Sequence, residues 1–244
     1  MMSVGRSQKM VPPPTRGERM KAWHISDTHM NHHQLVVPEG VDIVIHTGDA
    51  TNYRDPFRNE PEMRAFIDWF ATLPIPNRVM VAGNHDTSIE KGLIRPDFIE
   101  SRGISYLYCE ERTICGLRIW GAPYTPRYGD WAFMKDRGTI NRLWETIPEG
   151  VDVVATHGPP YGVLDATEDR QHSYQLCGDS ALMKAIHRVD PRLCLFGHIH
   201  SYKEIRNAGT RTVHGMRTVF SNGSCVDDGK WGVLTSNGNV LDLG

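Results

Sequence analysis

Residues 41–49 read VDIVIHTGD, an apolar and largely β-branched run that stops at a Gly-Asp pair. A short run of this kind, bounded by a turn signal, predicts a buried β-strand. Four other segments follow the same plan, namely KAWHISDTH from Lys21, RVMVAGNHD from Arg78, VDVVATHG from Val151 and LCLFGHIH from Leu193. The recurrence predicts several buried strands, each of which delivers polar side chains at its carboxyl end.

Helix-like stretches separate these strands. Apolar residues repeat at helical spacing between Glu60 and Thr72, and Ser180–Arg188 forms a second such stretch. Strands that alternate with helices indicate an α/β fold. From Lys203 onward, short strands between Gly and Asn turns, such as 218–220 and 232–234, predict a second sheet packed on the first.

The overall composition is that of an ordinary globular protein. The chain has 244 residues with 39% hydrophobic and 23% charged residues, and its formal charge is -2. It holds no apolar run near the roughly 20 residues of a membrane span, so we expect no membrane association. Without a broad basic surface, we expect no extended binding to nucleic acid, whereas a nucleotide-sized substrate stays open.

The domain limits and the cellular compartment can also be predicted. Residues 1–19 lack the apolar core of a secretory signal and are interpreted as a flexible leader, followed by one domain at 20–244. Five cysteines are odd in number and never form a Cys-x-x-Cys pair, which favours a reducing compartment, the cytoplasm. The sequence carries no signal for an oligomeric state.

Two of the strand ends carry ligand pairs. Asp27 and His29 stand two residues apart, as do His198 and His200, and residues i and i+2 of an extended chain point to the same side. Asp27 and His29 can therefore hold one ion, and the pair of His198 and His200 has the same geometry. Nitrogen and oxygen donors without a nearby Cys suit a borderline or hard metal such as manganese, iron or zinc.

Taken together, the strand ends resemble the ordered motifs of the calcineurin-like metallophosphoesterase superfamily. The motifs D-x-H, G-D, G-N-H-D/E, G-H and G-H-x-H are similar to Asp27–His29, Gly48-Asp49, Gly83–Asp86, His157-Gly158 and Gly197–His200. The stretches WGAPYTP, DWAFM, IPEG and THGPPYG further resemble the small metallophosphoesterase-domain branch, known as cyclic nucleotide phosphodiesterases. The resemblance runs from about Met20 to the end of the chain and implies a four-layer α/β/β/α sandwich of two mixed sheets flanked by helices.

The resemblance also implies a site with two divalent metal ions, most simply manganese. It assigns Asp27, His29 and His200 to one ion and Asn84, His157 and His198 to the other, with Asp49 bridging them. Two ions roughly 3.5 to 4 Å apart can share a hydroxide that attacks phosphorus. The implied activity is hydrolysis of a small phosphodiester such as a cyclic nucleotide.

His85 and Asn84 have further implied roles. The family uses the residue at the position of His85 to contact phosphate or to protonate the leaving oxygen, and both side chains are expected to bind substrate. Many relatives carry a carboxylate where this chain has Asn52. We hypothesise that the Asn52 amide accepts the hydrogen bond from His85 without adding charge, which weakens monoesterase activity.

Several other polar and aromatic residues lie near the motifs. His24 and His46 should turn away from the ligands because side chains alternate along a strand. Asn31, His32 and His33 lie on a predicted loop and should be exposed, with contact to substrate as the alternative. Residues 123–138 predict a loop beside the site, and its aromatic residues Tyr124 and Trp131 could either stack a nucleobase or complete the core.

Four alternative functions compete with the phosphodiesterase. A protein phosphatase would carry Asp-Arg-Gly after the bridging Asp, whereas this chain reads Asp49-Ala50-Thr51. A DNA nuclease would bring a basic track, which the charge does not support. A phosphomonoesterase, or a weakly active scaffold on the same fold, stays open, although every expected ligand type is present.

Overall fold

Five strands form where the sequence predicts them. A computed structural model describes residues 20–168, 172–228 and 233–243; the leader predicted at 1–19 lies outside these ranges. The five strands are β1 (Lys21–Ile25), β2 (Ile43–Thr47), β3 (Asn77–Val81), β9 (Val153–Thr156) and β12 (Leu193–Phe196). Their central residues are buried, as expected for strands covered on both faces.

The first sheet adds β4 (Ser105–Tyr106) and β15 (Asn239–Asp242) to three of these strands, in the order β15-β1-β2-β3-β4. Strands β1 to β4 run parallel, and β15 pairs antiparallel with β1 at the edge. Parallel neighbours place their carboxyl ends at one edge of the sheet. The polar residues that follow β1, β2 and β3 are therefore neighbours in space.

The second sheet adds β5 (Glu110–Ile114), β6 (Leu117–Ala122), β13 (Gly209–Thr212) and β14 (Val219–Asn222) to the other two strands. Its order is β13-β14-β12-β9-β6-β5, in which the four inner strands are parallel and both outer strands are antiparallel to their neighbours. Two small two-stranded sheets accompany it. One pairs β7 (Thr125–Pro126) with β8 (Met134–Lys135), and the other pairs β10 (Ala166–Glu168) with β11 (Tyr174–Leu176).

The longest described helix, α1 (Pro56–Thr72), begins four residues before the predicted start at Glu60. Asp55 caps it by accepting hydrogen bonds from the backbone nitrogens of Phe57 and Arg58, and Pro56 occupies the first turn, where its missing N–H costs nothing. The other helices are α2 (Thr87–Glu90), α3 (Pro96–Glu100), α4 (Arg137–Glu145), α5 (Ser180–Val189) and a 3-10 turn at His32–Gln34.

Three apolar layers hold these elements together. Ile45 and Val79 of the first sheet pack against Ile119, Val153 and Leu195 of the second, and all five are fully buried. Burying one such side chain contributes roughly 1.5–3 kcal/mol. On the outer faces, Phe66 of α1 packs on the first sheet with Trp23, and Trp144 of α4 packs on the second with Phe196 and Ile186 of α5. The order helix, sheet, sheet, helix confirms the predicted four-layer α/β/β/α sandwich.

The prediction for the C-terminal part was wrong in its detail. Strands β13 and β14 join the second sheet, but β15 returns to the first, so this part of the chain divides between the two sheets. In the predicted strand 232–234, Gly232 lies outside the described ranges and Leu234 forms only an isolated bridge with Val226. Short strands do not encode their partner, because pairing depends on contacts far away in sequence.

The expectation of exposure is confirmed for His33 but was wrong for Asn31 and His32. Both are buried, and the imidazole of His32 packs against Phe66 at 5.3 Å and Trp69 at 4.8 Å between ring centroids. The aromatic face of α1 covers this turn, which the local sequence does not show. No helix within the described ranges is both long enough and apolar enough to cross a membrane.

Candidate metal centre

The carboxyl ends of β1, β2, β3, β9 and β12 converge on one buried cluster of polar side chains. The backbone nitrogen of His198 donates to both carboxylate oxygens of Asp27, and His157 Nδ1 lies 2.8 Å from the carbonyl oxygen of Thr47, so the two sheets meet here. The seven predicted ligands are Asp27, His29, Asp49, Asn84, His157 and His200, which are buried, and His198, which is half-buried.

These side chains form two groups on either side of Asp49. The possible ligand atoms of Asp27, His29 and His200 lie within 4.8 Å of one another, and so do those of Asp49, His157 and His198. Nε2 of His157 is also 2.9 Å from Oδ1 of Asn84 and 3.3 Å from Oδ2 of Asp49. The structure therefore brings all seven predicted ligands together.

His85 lies at the same centre. Its ligand atom falls within 4.8 Å of those of His29 and Asp49, and its backbone nitrogen donates to Oδ1 of Asp49 at 2.7 Å. Oδ1 of Asp49 thus accepts a hydrogen bond from the main chain, while Oδ2 faces His157. Asp49 therefore belongs to the group of His157 and His198 and also lies near His29 of the other group.

The backbone at four of the predicted ligands is left-handed. The φ angles are 49° at Asp27, 41° at His29, 58° at Asp49 and 68° at His198. Non-glycine residues adopt this conformation at a cost, and such residues cluster at functional sites. The turn after each strand thus directs the side chain into the centre at the expense of backbone strain.

Two glycines permit the close packing around the ligands. A Cβ atom on Gly83 would lie 2.7 Å from Cε1 of His157 and would overlap Asp49, and one on Gly197 would overlap the side chains of Asp27 and Ser26. Glycine is therefore required at both positions by space rather than by backbone angle. Any side chain there would push the ligands apart.

Hydrogen bonds from Nδ1 orient three of the imidazoles. Nδ1 of His29 lies 3.0 Å from the carbonyl oxygen of Thr51, and Nδ1 of His157 makes the contact with Thr47 described above. A carbonyl only accepts, so each Nδ1 carries the proton and each Nε2 is directed to the cluster. Nδ1 of His200 is 2.6 Å from Oδ1 of Asp228, an arrangement of carboxylate and histidine typical of metal sites.

Asp86 fixes the loop that carries Asp49. It has no solvent exposure and accepts hydrogen bonds from the backbone nitrogens of Asp49, Ala50 and Gly83 at 3.0, 3.0 and 2.7 Å, and from Oγ1 of Thr51 at 3.0 Å. Burial, together with the charge of Asp49, raises the pKa of Asp86 to about 6. Asp86 is therefore a positioning residue beneath the centre.

Asn59 of α1 performs a similar task from the other side. Its buried amide nitrogen lies 2.7–2.8 Å from three acceptors that share its two hydrogens, Oγ1 of Thr51 and the carbonyl oxygens of Tyr53 and His85, and its oxygen accepts from Ser88. Sequence reasoning missed both Asn59 and the role of Asp86. One signal in the sequence could have identified Asn59, which stands among the apolar positions of a helix, because a buried amide there needs hydrogen-bond partners.

Without bound ions, the two carboxylates are balanced by two imidazoles. Burial alone would raise the pKa of Asp27 and of Asp49, but the neighbouring His200 and His157, respectively, outweigh it and hold both values well below the usual range. Burial alone would lower the pKa of His157 and His200, but the carboxylates raise these values to about 9 and about 10. Two protons thus provide the positive charge that the carboxylates require.

Burial lowers the pKa of four other histidines in or beside the cluster. Burial lowers the pKa of His29 to about 4 and that of His198 to about 3. His24 is also buried and neutral, with its ring nitrogens 2.8 Å from Ser221 Oγ and 3.0 Å from Thr47 Oγ1. His46 packs on Phe66, so both strand histidines are turned from the ligands as predicted.

The hypothesis about the Asn52 side chain was wrong. The amide nitrogen of Asn52 donates to the carbonyl oxygen of His29 at 3.2 Å, whereas Nδ1 of His85 lies 3.3 Å from the backbone carbonyl oxygen of Asn52. A main-chain oxygen, which any residue supplies, therefore replaces the expected amide. The sequence could not show this, because it depends on how the turn after Asp49 is folded.

A cleft of about 750 Å³ opens above the centre. Asp49, Asn84, His85, His198 and His200 lie at its base. Its walls include Pro126, Arg127, Tyr128, Trp131, Arg137, Pro159, Gln175, Leu176, Cys177, Ile199 and Asp228. The loop predicted at 123–138 does border the site, and Trp131 lines it, whereas Tyr124 hydrogen-bonds to Tyr108 and packs on the core instead.

The side chains fit a pair of divalent ions. Carboxylate, carboxamide and imidazole atoms converge in two groups, and the proton on Nδ1 of His29 and His157 leaves each Nε2 directed inward. This donor set matches manganese, iron or zinc. The buried carboxylates of Asp27 and Asp49 supply the negative charge that cations require.

Comparison with known proteins agrees with this geometry. The human Metallophosphoesterase domain-containing protein 1 is 34% identical over 212 residues, which cover 77% of this chain and 63% of that protein. A Caenorhabditis elegans protein, UPF0046 protein K07C11.7, is 31% identical over 82% of this chain and 70% of its own length. The chain thus spans less than two thirds of the human relative.

A solved structure and a family pattern extend the comparison. The crystal structure of TT1561 of Thermus thermophilus superposes with a TM-score of 0.57 over 84% of this chain and 89% of that one, at 13% identity, which concerns the fold alone. The pattern of the calcineurin-like phosphoesterase family matches residues 20–202. This chain therefore belongs to the calcineurin-like phosphoesterase family.

Proposed function

We propose that this protein is a phosphodiesterase that hydrolyses small substrates such as cyclic nucleotides with two manganese ions. One observation carries the proposal: Asp49 stands between two groups of ligand atoms at the base of an open cleft. Asp27, His29 and His200 would hold one ion, and Asn84, His157 and His198 the other, with Asp49 shared. When bound, the two ions would supply an activated water and polarise the phosphoryl oxygens.

The chain's own residues would position the phosphate and the leaving group. Nδ1 of His85 donates to the carbonyl oxygen of Asn52, which leaves Nε2 as the atom that faces a substrate in the cleft. There it can give a proton to the leaving oxygen. Asn84 lies beside it at the base of the cleft and can donate from its amide nitrogen to a phosphoryl oxygen.

The cleft supports a substrate of nucleotide size. Its volume falls within the range of roughly 300–1,000 Å³ that is usual for small-molecule sites. Tyr128 and Trp131 offer aromatic surface, and Arg127 and Arg137 offer positive charge at its walls. A heterocyclic base with a phosphate group matches both features.

A diester suits the surroundings of His85 better than a monoester does. The group that Nδ1 of His85 faces is a neutral carbonyl, 3.3 Å away, rather than the carboxylate found in many relatives. A monoester carries more negative charge on its phosphoryl oxygens than a diester does, so it gains more from a site with additional charged groups. We therefore place diesters first and keep monoesters as the comparison.

The state of the cysteine thiols supports a proposal for the cellular compartment. All five cysteines are free, and Cys194 and Cys225 are buried. Free thiols favour a reducing environment, so we propose a cytoplasmic location. The formal charge of -2 supports a small substrate rather than extended nucleic acid as the partner.

Reconstitution with metal tests the proposal directly. Protein stripped of metal would be assayed with bis(4-nitrophenyl) phosphate and 4-nitrophenyl phosphate, with manganese, iron or zinc added, and then with 2′,3′- and 3′,5′-cyclic nucleotides. We expect manganese-dependent turnover that favours the diester and is abolished in Asp49→Ala. Folded protein that binds manganese but shows no turnover on any diester would refute the proposal and favour a scaffold.

A further inference from the structure

Trp131 packs directly on His85. Their ring centroids are 4.4 Å apart and their planes are tilted by 30°, so the two rings are in close contact. Trp131 lies in the loop between β7 and β8, is half-buried, and lines the cleft beside His85. It belongs to the stretch DWAFM, but its contact with His85 arises only when the loop folds over the centre.

His85 needs such a contact because its other restraints are weak. The hydrogen bond from its Nδ1 to the carbonyl oxygen of Asn52 is 3.3 Å long, well beyond the usual distance near 2.9 Å. His29 touches the ring only edge-on, at 4.8 Å and 87°. The face of Trp131 is therefore what fixes the plane of the imidazole, and with it the direction of Nε2.

Trp131 has further contacts of its own. The guanidinium of Arg54 lies over the indole at 5.1 Å and forms an ion pair with Asp130 at 2.8 Å. The backbone nitrogen of Ala132 donates to the carbonyl oxygen of Asn84 at 3.2 Å. The loop is thus tied to the segment that carries His85, and the indole has little freedom to move away.

We infer that Trp131 is a positioning residue that aims Nε2 of His85 at the leaving-group oxygen, an inference that rests on the proposed function. Proton transfer requires hydrogen-bond reach and alignment between donor and acceptor. A rotated imidazole would lose that alignment while the ligands of the ions stay in place. The role of Trp131 should therefore show in protonation of the leaving group and not in metal binding.

The leaving group of the substrate separates this role from a merely structural one. Methyl 4-nitrophenyl phosphate releases a stable anion that gains little from a proton, whereas methyl phenyl phosphate releases a poor leaving group that gains much. The variants are Trp131→Leu, which removes the ring, and Trp131→Phe, which keeps one. Trp69→Leu is the matched control, because Trp69 is also half-buried and also packs on a histidine, His32 at 4.8 Å, outside the cleft.

We expect Trp131→Leu to lower kcat on the phenyl ester by about 10-fold or more and on the 4-nitrophenyl ester by less than about 3-fold, since general acid catalysis typically contributes roughly 10²–10⁴-fold. Trp131→Phe should recover most of the phenyl ester turnover, KM should stay near its original value, and Trp69→Leu should change both esters equally. Manganese affinity, measured by calorimetry, should be unchanged in every variant.

Three results would overturn the inference. Equal losses on both esters in Trp131→Leu would indicate a general structural effect, and unchanged turnover would show that the contact is dispensable. A Trp131→Phe variant as slow as Trp131→Leu on the phenyl ester would show that a ring face is not what matters. If the unaltered protein itself lacks metal-dependent turnover, the proposed function fails and the inference falls with it. Because the unaltered protein is measured first, this failure can be distinguished from a failure of the Trp131 inference alone.

Discussion

Gly83→Ala is expected to damage the metal centre through a single added methyl group. The new Cβ would lie 2.7 Å from Cε1 of His157 and would overlap both the carboxylate and the backbone nitrogen of Asp49. Carbon atoms in contact normally lie about 3.5–4.0 Å apart, so a separation of about 1 Å must open. Because one clashing atom belongs to the backbone of Asp49, a change of rotamer cannot relieve the overlap.

The size of the effect follows from this displacement. Forcing extra volume into a packed site typically costs about 1–3 kcal/mol, which we expect as a loss in the free energy of unfolding. A displacement of about 1 Å at a catalytic group can lower turnover by about 10²-fold. We therefore expect weaker manganese binding and roughly 100-fold slower hydrolysis of bis(4-nitrophenyl) phosphate.

Chemical denaturation, calorimetric titration with manganese and the diesterase assay measure these three quantities. Gly138→Ala serves as the control, because a Cβ at Gly138 meets no atom within 4 Å and the residue lies in α4, where alanine is favoured. The control should be as stable as the unaltered protein or more so. A Gly83→Ala protein with unaltered stability, metal affinity and turnover would refute the reasoning.

Three further outcomes are expected. Asp228→Asn should weaken manganese binding by about 10–100-fold in calorimetry, because the carboxylate that orients His200 is lost; unchanged affinity would contradict this role. His85→Ala should still bind two ions while turnover falls by about 10²–10⁴-fold, and loss of an ion would show instead that His85 is a ligand. The pKa of His157 is raised from 6.5 to about 9 and that of His200 to about 10. Their protons therefore stabilise the metal-free fold fully below about pH 6.5, and this stabilisation is lost as the pH rises through 9 to 10. Ligation requires neutral imidazoles, so manganese should bind more tightly and raise the melting temperature more at about pH 9 than at about pH 6.5, and the opposite trend in calorimetry would contradict these proton positions.

The strands and the candidate ligands could be predicted because their signals are local. Each of the five runs combines β-branched residues with a turn, and each turn carries donor atoms whose type is visible in the sequence. The start of α1 was missed by four residues, although Asp55 and Pro56 carry a local capping signal. That error was one of interpretation rather than of missing information.

The supporting residues could not be predicted in the same way. Asp86 and Asn59 hold the loops of Asp49 and His85 mostly through hydrogen bonds to backbone atoms that are distant in the sequence. Asp228 reaches His200 across 28 positions, and the carbonyl of Asn52 replaces the expected side chain at His85. Backbone acceptors have no sequence signature, so only the folded chain identifies them.

By itself, the sequence determined that buried strands end in side chains with metal-ligand chemistry, because strand formation and donor type are properties of short segments. Only the tertiary structure decided which sheet receives each C-terminal strand, that Asp49 lies near members of both groups of possible ligand atoms, and that Trp131 contacts His85. These features depend on contacts between segments that are far apart in the chain. Such contacts are selected by packing and close approach, as at Gly83 and Gly197, and not by local preference.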